Sequence, residues 1–189
     1  ETITTLDGIE RTLCDDMLVI ADAAKPVAVA GVMGGEYSGI MDDTKTLVFE
    51  SACFNATSVR STSKRLGMRT ESSSRFEKGL DAVGCERSIR RALELVQMLD
   101  AGDVVEGLVD CDHSVDVRVT LPFDWEWINT FIGIETTKEQ QKRIFENLEF
   151  TVTEDTVTPP SFRGDIEHLA DLSEEVARFY GYENIPNRP

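Results

Sequence analysis

The apolar residues of this chain change their spacing part-way along it, and this change constrains the fold more than any other feature. Up to about residue 54 they form short runs separated by turn residues, with Asp7-Gly8 between the runs Ile3–Leu6 and Ile9–Leu13. Runs joined by Asp-Gly are typical of β-hairpins. Further along, apolar residues recur every three or four positions, as on one face of a helix. The chain is therefore expected to contain both sheets and helices.

The first half is predicted to be a mixed β-sheet with helices on one side. A strand is expected at Thr46–Phe54 and a returning strand over residues 104–109. Asn55 can cap a helix that ends at Gly67, because Asn accepts hydrogen bonds from the first free amides and Gly adopts the terminal left-handed turn. A second amphipathic helix is predicted over Ala82–Ala101.

The pattern restarts after a polar connection at Cys111–Ser114, so we place the domain boundary near residue 113. A strand at Val117–Leu121, two helices, a short strand pair around Phe150–Val157 and a last helix over Ile166–Tyr180 are expected there. That order is typical of a small winged-helix-like α/β module. The predicted fold class is α+β, with domains at residues 1–113 and 114–189.

The distribution of charge leaves two interpretations open. The chain carries 19 Lys and Arg against 35 Asp and Glu, a net charge of −16, which repels a polyanion. Between Ser58 and Arg91, however, nine basic residues stand against four acidic ones, a local charge of +5. This basic strip either holds a phosphate backbone or is a solvated helical face paired with its own carboxylates. The candidate phosphate contacts are Arg87, Arg90 and Arg91, on the outer side of the second helix.

The sequence gives no sign of a metal site. Its four cysteines, Cys14, Cys53, Cys85 and Cys111, form no Cys-x-x-Cys pair and are expected to be buried and reduced, as in a cytosolic protein. The two histidines have no ligand at metal spacing, so no metal is predicted. No apolar stretch approaches the length of a membrane span, and none is expected.

Three segments carry candidate chemistry. The adjacent glycines Gly34 and Gly35 either let a ligand approach the backbone amides or form a plain β-turn. Glu50 interrupts an apolar run, so it either points to solvent from an alternating strand or is a carboxylate in an apolar pocket. The run Thr70–Ser74 supplies four hydroxyls and one carboxylate, and the alternative is an ordinary solvated loop.

These segments belong to longer motifs, which occur at Ala28–Glu36, Phe49–Phe54 and Arg65–Asp81. In that order they resemble the beta chain of bacterial phenylalanyl-tRNA synthetases. Pro160–Ile166 and residues 171–186 are similar to the next domain of the same chain. The resemblance covers nearly the whole sequence and implies most of a tRNA-editing domain followed by a small helical domain.

The resemblance implies an aminoacyl-tRNA synthetase, a cytoplasmic ligase of protein biosynthesis whose editing domain hydrolyses tyrosine wrongly esterified to tRNA(Phe). Carried over by motif, Glu50 meets the tyrosine hydroxyl, Gly34 lines the pocket, and Thr70 and Ser72 form the opposite wall. The adjacent Gly35 is assigned to the same pocket. The family usually has alanine where this chain has Ser72. The implied partners are tRNA(Phe) and the alpha chain, in an alpha2-beta2 heterotetramer with no membrane. ATP and Mg serve the whole synthetase, and no cofactor is expected in this segment.

If Glu50 lies in an apolar pocket, a phenol donates a hydrogen bond to it, whereas phenylalanine leaves the carboxylate desolvated and unpaired at a cost of about 1–3 kcal/mol or more. No Ser-His or Cys-His nucleophile is evident, so no catalytic side chain is assigned. We expect a positioned water to attack the ester, with amides near Gly34 and Gly35 polarising the carbonyl and the ribose hydroxyl assisting. The family's editing domain extends upstream of Glu1, so this chain alone is expected to fold but to edit weakly or not at all.

Two functions other than editing are also compatible with the sequence. One is a non-catalytic tRNA-binding and subunit-contact scaffold of the same synthetase, in which Glu50 is structural. The other is a free-standing RNA-binding protein, disfavoured because residues 114–189 carry seven basic and fifteen acidic side chains.

Overall fold

The computed structural model describes residues 1–116 and 118–186, which divide into two compact units, Glu1–Val109 and Asp110–Pro189. Each unit combines helices with small sheets, which confirms the predicted α+β class. Every strand pair within the described residues is antiparallel. The first unit therefore contains two separate antiparallel sheets where a single mixed sheet was expected.

The first unit opens with the predicted hairpin. Strand β1 (Thr2–Thr4) pairs with β2 (Glu10–Thr12). Gly8 turns the chain with a φ of 74°, a left-handed conformation that glycine adopts without steric cost. Ile3 on β1 is buried, and this anchors the hairpin in the core of the unit.

A second sheet follows, in which β4 is the central strand. Its members are β3 (Val19–Ala21), β4 (Pro26–Val29) and β5 (Met33–Gly34). The turn from β4 into β5 gives Gly31 a φ of 67°. We call residues Gly31–Gly35 the glycine loop. A single bridge between Thr5 and Gly35 connects its end to the hairpin.

The strands predicted at Thr46–Phe54 and at residues 104–109 are wrong, because both segments are irregular. Most of their apolar side chains are exposed, Val48 to 95% and Val109 to 91%. A strand needs a neighbour to complete its backbone hydrogen bonds, and neither segment pairs with a strand within residues 1–116.

Three helices complete the first unit: α1 (Ala56–Arg65), α2 (Glu71–Phe76) and α3 (Gly84–Met98). Asn55 caps α1 as predicted, with its side-chain oxygen accepting from the Ser58 amide at 3.0 Å. Helix α3 ends at Met98, three residues before the predicted end at Ala101, because Asp100 already adopts a left-handed φ of 50°. Helix α2 replaces the solvated loop that was one interpretation of Thr70–Ser74.

The core of the first unit packs the second sheet against α1 and the turn that follows it. The buried apolar side chains of this cluster are Ile3, Val29, Val32, Val59 and Met68. Phe54 and Phe76 pack beside them, with ring centroids 5.0 Å apart. Helix α3 contributes no buried residue despite its apolar stripe, so the other described residues cover only part of this face.

The second unit follows the predicted order of strand, two helices, strand pair and helix. Its elements are β6 (Leu121–Pro122), α4 (Trp125–Ile132), α5 (Lys138–Asn147), β7 (Thr151–Val152), β8 (Thr156–Thr158) and α6 (Leu169–Tyr180). The first strand is shorter than predicted, and Val117 lies outside the described residues. The side chains of Ile128, Phe145, Val157, Leu172 and Val176 are 0% exposed and form the centre of the core.

The predicted burial of the cysteines is wrong. Cys14, Cys53 and Cys111 are exposed and Cys85 is half-buried. The three exposed thiols lie in irregular segments, outside the packed elements. No helix in the described part of the chain is long and apolar enough to cross a bilayer. Residues 1–116 and 118–186 also contain no group of three His, Cys, Asp or Glu side chains that could hold a metal ion.

Candidate functional site

Two side-chain hydroxyls attach α2 to the glycine loop. The Ser72 Oγ donates to the carbonyl oxygen of Gly31 at 3.0 Å, and the Thr70 Oγ1 donates to that of Val32 at 2.8 Å. These partners are 41 and 38 residues apart in the chain. The acceptors are consecutive carbonyls, so the start of α2 holds the start of the glycine loop. We call this pair of bonds the hydroxyl clamp.

The start of α2 is itself held by a capping box. The Thr70 Oγ1 accepts from the Ser73 amide at 3.0 Å, and the Ser73 Oγ accepts from the Thr70 amide at 2.9 Å. Ser73 is 0% exposed, and its Oγ lies 3.3 Å from the Oγ of Ser63 on α1. A chain of hydroxyls thus connects α1, α2 and the glycine loop. Sequence reasoning missed Ser63 and Ser73, although the spacing of Thr70 and Ser73 signals a cap.

Gly31 lies at the point where three of the sequence motifs meet. A Cβ at this position would lie 3.0 Å from Val59, 3.1 Å from Phe54 and 3.3 Å from Phe76. Phe54 ends the segment that contains Glu50, and Phe76 ends α2. No side chain fits here without displacing these neighbours, and the left-handed φ adds backbone strain for any residue but glycine.

The two predicted pocket glycines differ in what their amides can do. The Gly35 amide donates to the Val27 carbonyl at 2.7 Å, so within the sheet it is not free to polarise a substrate carbonyl. That bond makes Val27 and Gly35 a hydrogen-bonded pair. The adjacent pair, Ala28 and Gly34, is therefore a non-hydrogen-bonded one, and the Gly34 amide faces away from β4.

Glu50 lies neither in an alternating strand nor in a closed apolar pocket. Its residue is exposed and forms no hydrogen bond or ion pair with the residues that the structure describes. Protein atoms nevertheless lie close enough to raise the pKa of its carboxyl above the ordinary 4.5 by desolvation. The following Ser51 Oγ donates to the Cys85 carbonyl at 2.8 Å, which holds this segment against the start of α3.

The three candidate phosphate contacts on α3 are not equivalent. Arg90 pairs with Glu86 at 2.5 Å and Arg91 with Glu94 at 2.6 Å, as expected for a helical face neutralised by its own carboxylates. Arg87 forms no ion pair within the described part of the first unit. All three arginines line an open cavity of about 490 Å³. Arg87 is therefore the one of the three whose charge is not neutralised on the helix.

A larger open cavity, of about 730 Å³, lies in the second unit, with Trp125, Asn129, Thr136 and Tyr180 in its wall. The pocket residues expected from the sequence, however, all lie in the first unit. We place the candidate site at the glycine loop because the hydroxyl clamp joins two of the predicted segments there, whereas cavity size alone specifies no chemistry.

Two domain families match successive segments of the chain. The B3/4 domain family matches residues 1–101, and the tRNA synthetase B5 domain matches residues 121–182. The chain is 44% identical over 98% of its length to the phenylalanine–tRNA ligase beta subunit of Clostridium tetani. The identity is 46% over 99% of the chain for the subunit of Bacillus licheniformis and 44% over 99% for that of Bacillus subtilis. The chain spans 24% of the length of each of these relatives.

Proposed function

Because this chain belongs to the B3/4 domain family, we propose that it is the part of a phenylalanine–tRNA ligase beta subunit that hydrolyses tyrosine misattached to tRNA(Phe). The observation that carries the proposal is the 3.0 Å bond between Ser72 and Gly31. It brings the glycine loop and the start of α2 together, and a ligand site at this position can use residues from both.

Discrimination between tyrosine and phenylalanine depends on a single hydroxyl. An activation pocket shaped by apolar contacts rejects an added hydroxyl by only about 100-fold, so a second site that removes the product improves accuracy. We assign recognition of the phenol to Glu50. Partial desolvation of its carboxyl supports this role, because a hydrogen bond is stronger where water competes less.

The proposed hydrolysis is attack by water on the ester carbonyl carbon. The bond from that carbon to the ribose oxygen breaks, free tyrosine leaves, and the tRNA regains its terminal hydroxyl. The Gly34 amide is our candidate donor to the carbonyl oxygen, since the Gly35 amide is already bonded to Val27. The vicinal ribose hydroxyl assists proton transfer.

The partners belong to the same proposal. We place the chain in a cytoplasmic alpha2-beta2 synthetase with tRNA(Phe) and the alpha chain as partners. ATP and Mg serve amino-acid activation in that whole assembly, and no step of the proposed hydrolysis runs through them.

The decisive experiment measures deacylation of Tyr-tRNA(Phe) by the intact synthetase. Loss of a hydrogen bond to a charged group corresponds to a fall in kcat/KM of about 10- to 100-fold in Glu50→Ala. Asp43→Asn, which changes an exposed carboxylate elsewhere in the unit, is the control and should hydrolyse normally. Normal deacylation by Glu50→Ala would favour the scaffold interpretation instead.

A further inference from the structure

We propose that Ser72 is a positioning residue, which sets the conformation of the glycine loop through Gly31 and does not itself contact the substrate. Its hydroxyl carries a single proton, and the 3.0 Å bond to the Gly31 carbonyl uses it. Ser72 therefore has no proton to donate to a ligand while this bond is intact.

The bonds of the loop to β4 hold two of its amides: the Val32 amide donates to the Val29 carbonyl at 3.0 Å, and the Gly35 amide donates to the Val27 carbonyl at 2.7 Å. Neither bond holds the carbonyl of Gly31 or Val32. Within the described residues, the carbonyls of Gly31 and Val32 have only the clamp hydroxyls as hydrogen-bond donors. A half-buried carbonyl without a donor is costly, and a rotation of its peptide toward water would reorient the following amides.

A substitution at Ser72 tests the positioning of the glycine loop more specifically than a substitution at Thr70. Thr70 holds the loop and caps α2 with the same oxygen, so its removal disturbs two structures. Ser72 is the second residue of α2, and its only side-chain hydrogen bond to the described residues is the one to Gly31. Alanine is a better helix former than serine, so Ser72→Ala removes the tie without weakening the helix.

The test is amide hydrogen exchange of the 189-residue chain. We expect exchange at Gly31–Gly35 to become about 3- to 10-fold faster in Ser72→Ala, the range that corresponds to one net hydrogen bond. Ser72→Thr keeps the hydroxyl and should restore slow exchange. Ser74→Ala is the matched control, since it makes the same change on the same helix at a side chain with no hydrogen bond to the described residues.

Two outcomes would overturn the proposal. One is unchanged exchange at Gly31–Gly35 in Ser72→Ala. The other is an equal acceleration in the β1–β2 hairpin, which would mean that the whole unit is destabilised and the loop is not specifically positioned by Ser72.

The consequence for hydrolysis rests on the proposed function. In the intact synthetase, Ser72→Ala should lower kcat for Tyr-tRNA(Phe) deacylation while KM changes little, because the loop is displaced but Glu50 is not. Faster loop exchange in Ser72→Ala, combined with a wild-type synthetase that does not deacylate Tyr-tRNA(Phe), would support the positioning role and refute the proposed function. Failure of the positioning role and failure of the proposed function therefore give different results.

Discussion

The hydroxyl of Thr70 donates a 2.8 Å hydrogen bond to the carbonyl oxygen of Val32, 38 residues earlier in the chain. The same oxygen accepts from the Ser73 amide, so it caps the start of α2 and holds the glycine loop at once. A group with both a proton and a lone pair is required for this, which a hydroxyl provides and a methyl does not.

Thr70→Val should therefore lower the free energy of unfolding of the first unit by about 1–3 kcal/mol, since it leaves both the amide and the carbonyl without partners. Thr70→Ser should retain most of the stability. Urea unfolding followed by far-UV circular dichroism measures the change. The two tryptophans, Trp125 and Trp127, lie in the second unit, and their fluorescence transition serves as an internal control. Equal midpoints for Thr70→Val and wild type would contradict this prediction.

Neighbouring glycines should respond differently to alanine. A Cβ on Gly35 would lie 2.6 Å from the Val27 carbonyl oxygen, which is backbone within a sheet and cannot easily move. A Cβ on Gly34 would meet the Leu6 Cδ1 at 3.1 Å, the end of a flexible side chain. We expect Gly35→Ala to cost about 2 kcal/mol or more and Gly34→Ala about 1 kcal/mol or less in urea unfolding. A larger loss in Gly34→Ala would show that the sheet at Val27 adapts more easily than Leu6.

The raised pKa of Glu50 predicts the sign of a pH effect on stability. The folded chain binds this proton more tightly than the unfolded chain, so protonation of Glu50 contributes stability below the ordinary pKa of 4.5. That contribution is lost as the pH rises through the raised pKa of the folded state. As the pH rises through this range, Glu50→Gln should become more stable relative to wild type. A difference in the free energy of unfolding that stays constant from pH 4 to pH 8 would exclude the effect.

The three arginines of α3 should contribute unequally to tRNA binding. Arg87 is unpaired within the described residues, whereas Arg90 and Arg91 already pair with carboxylates on the same helix. In the intact synthetase, the logarithm of the tRNA association constant falls linearly with the logarithm of the salt concentration. Arg87→Ala should make this slope shallower by nearly one, and Arg90→Ala and Arg91→Ala should each change it less. A slope that Arg87→Ala leaves unchanged would assign all three to a solvated face.

The connection between the units should be the first site of proteolysis. Residues 110–116 are exposed and irregular, which makes their backbone available to a protease. Brief digestion with a protease specific for aspartate should cut first at Asp112 or Asp116 and leave two resistant pieces, identified by mass spectrometry. First cuts outside residues 110–116 would refute a boundary between Cys111 and Asp116.

Features that depend on a few neighbouring residues could be predicted from the sequence, and features that need a distant partner could not. Asn55 caps a helix because its side chain reaches an amide three residues away. The apolar run at Thr46–Phe54 also has strand-forming residues, but a strand exists only where another backbone pairs with it. Similarly, nothing local in the sequence shows that the Gly35 amide is bonded to Val27 or that the Ser72 proton is bonded to Gly31. The resemblance indicates which segments form the candidate site, whereas the hydrogen bonds between them depend on the tertiary fold.

The exposed apolar segment around Val48 affects the solubility of the chain. An irregular, apolar stretch with open backbone groups attracts copies of itself, and at neutral pH the net charge of −16 opposes that attraction through mutual repulsion. The repulsion vanishes near the isoelectric point of about 4.5. Purification steps that pass through mild acid therefore remove the protection that keeps this chain dispersed, and solubility should be lowest there.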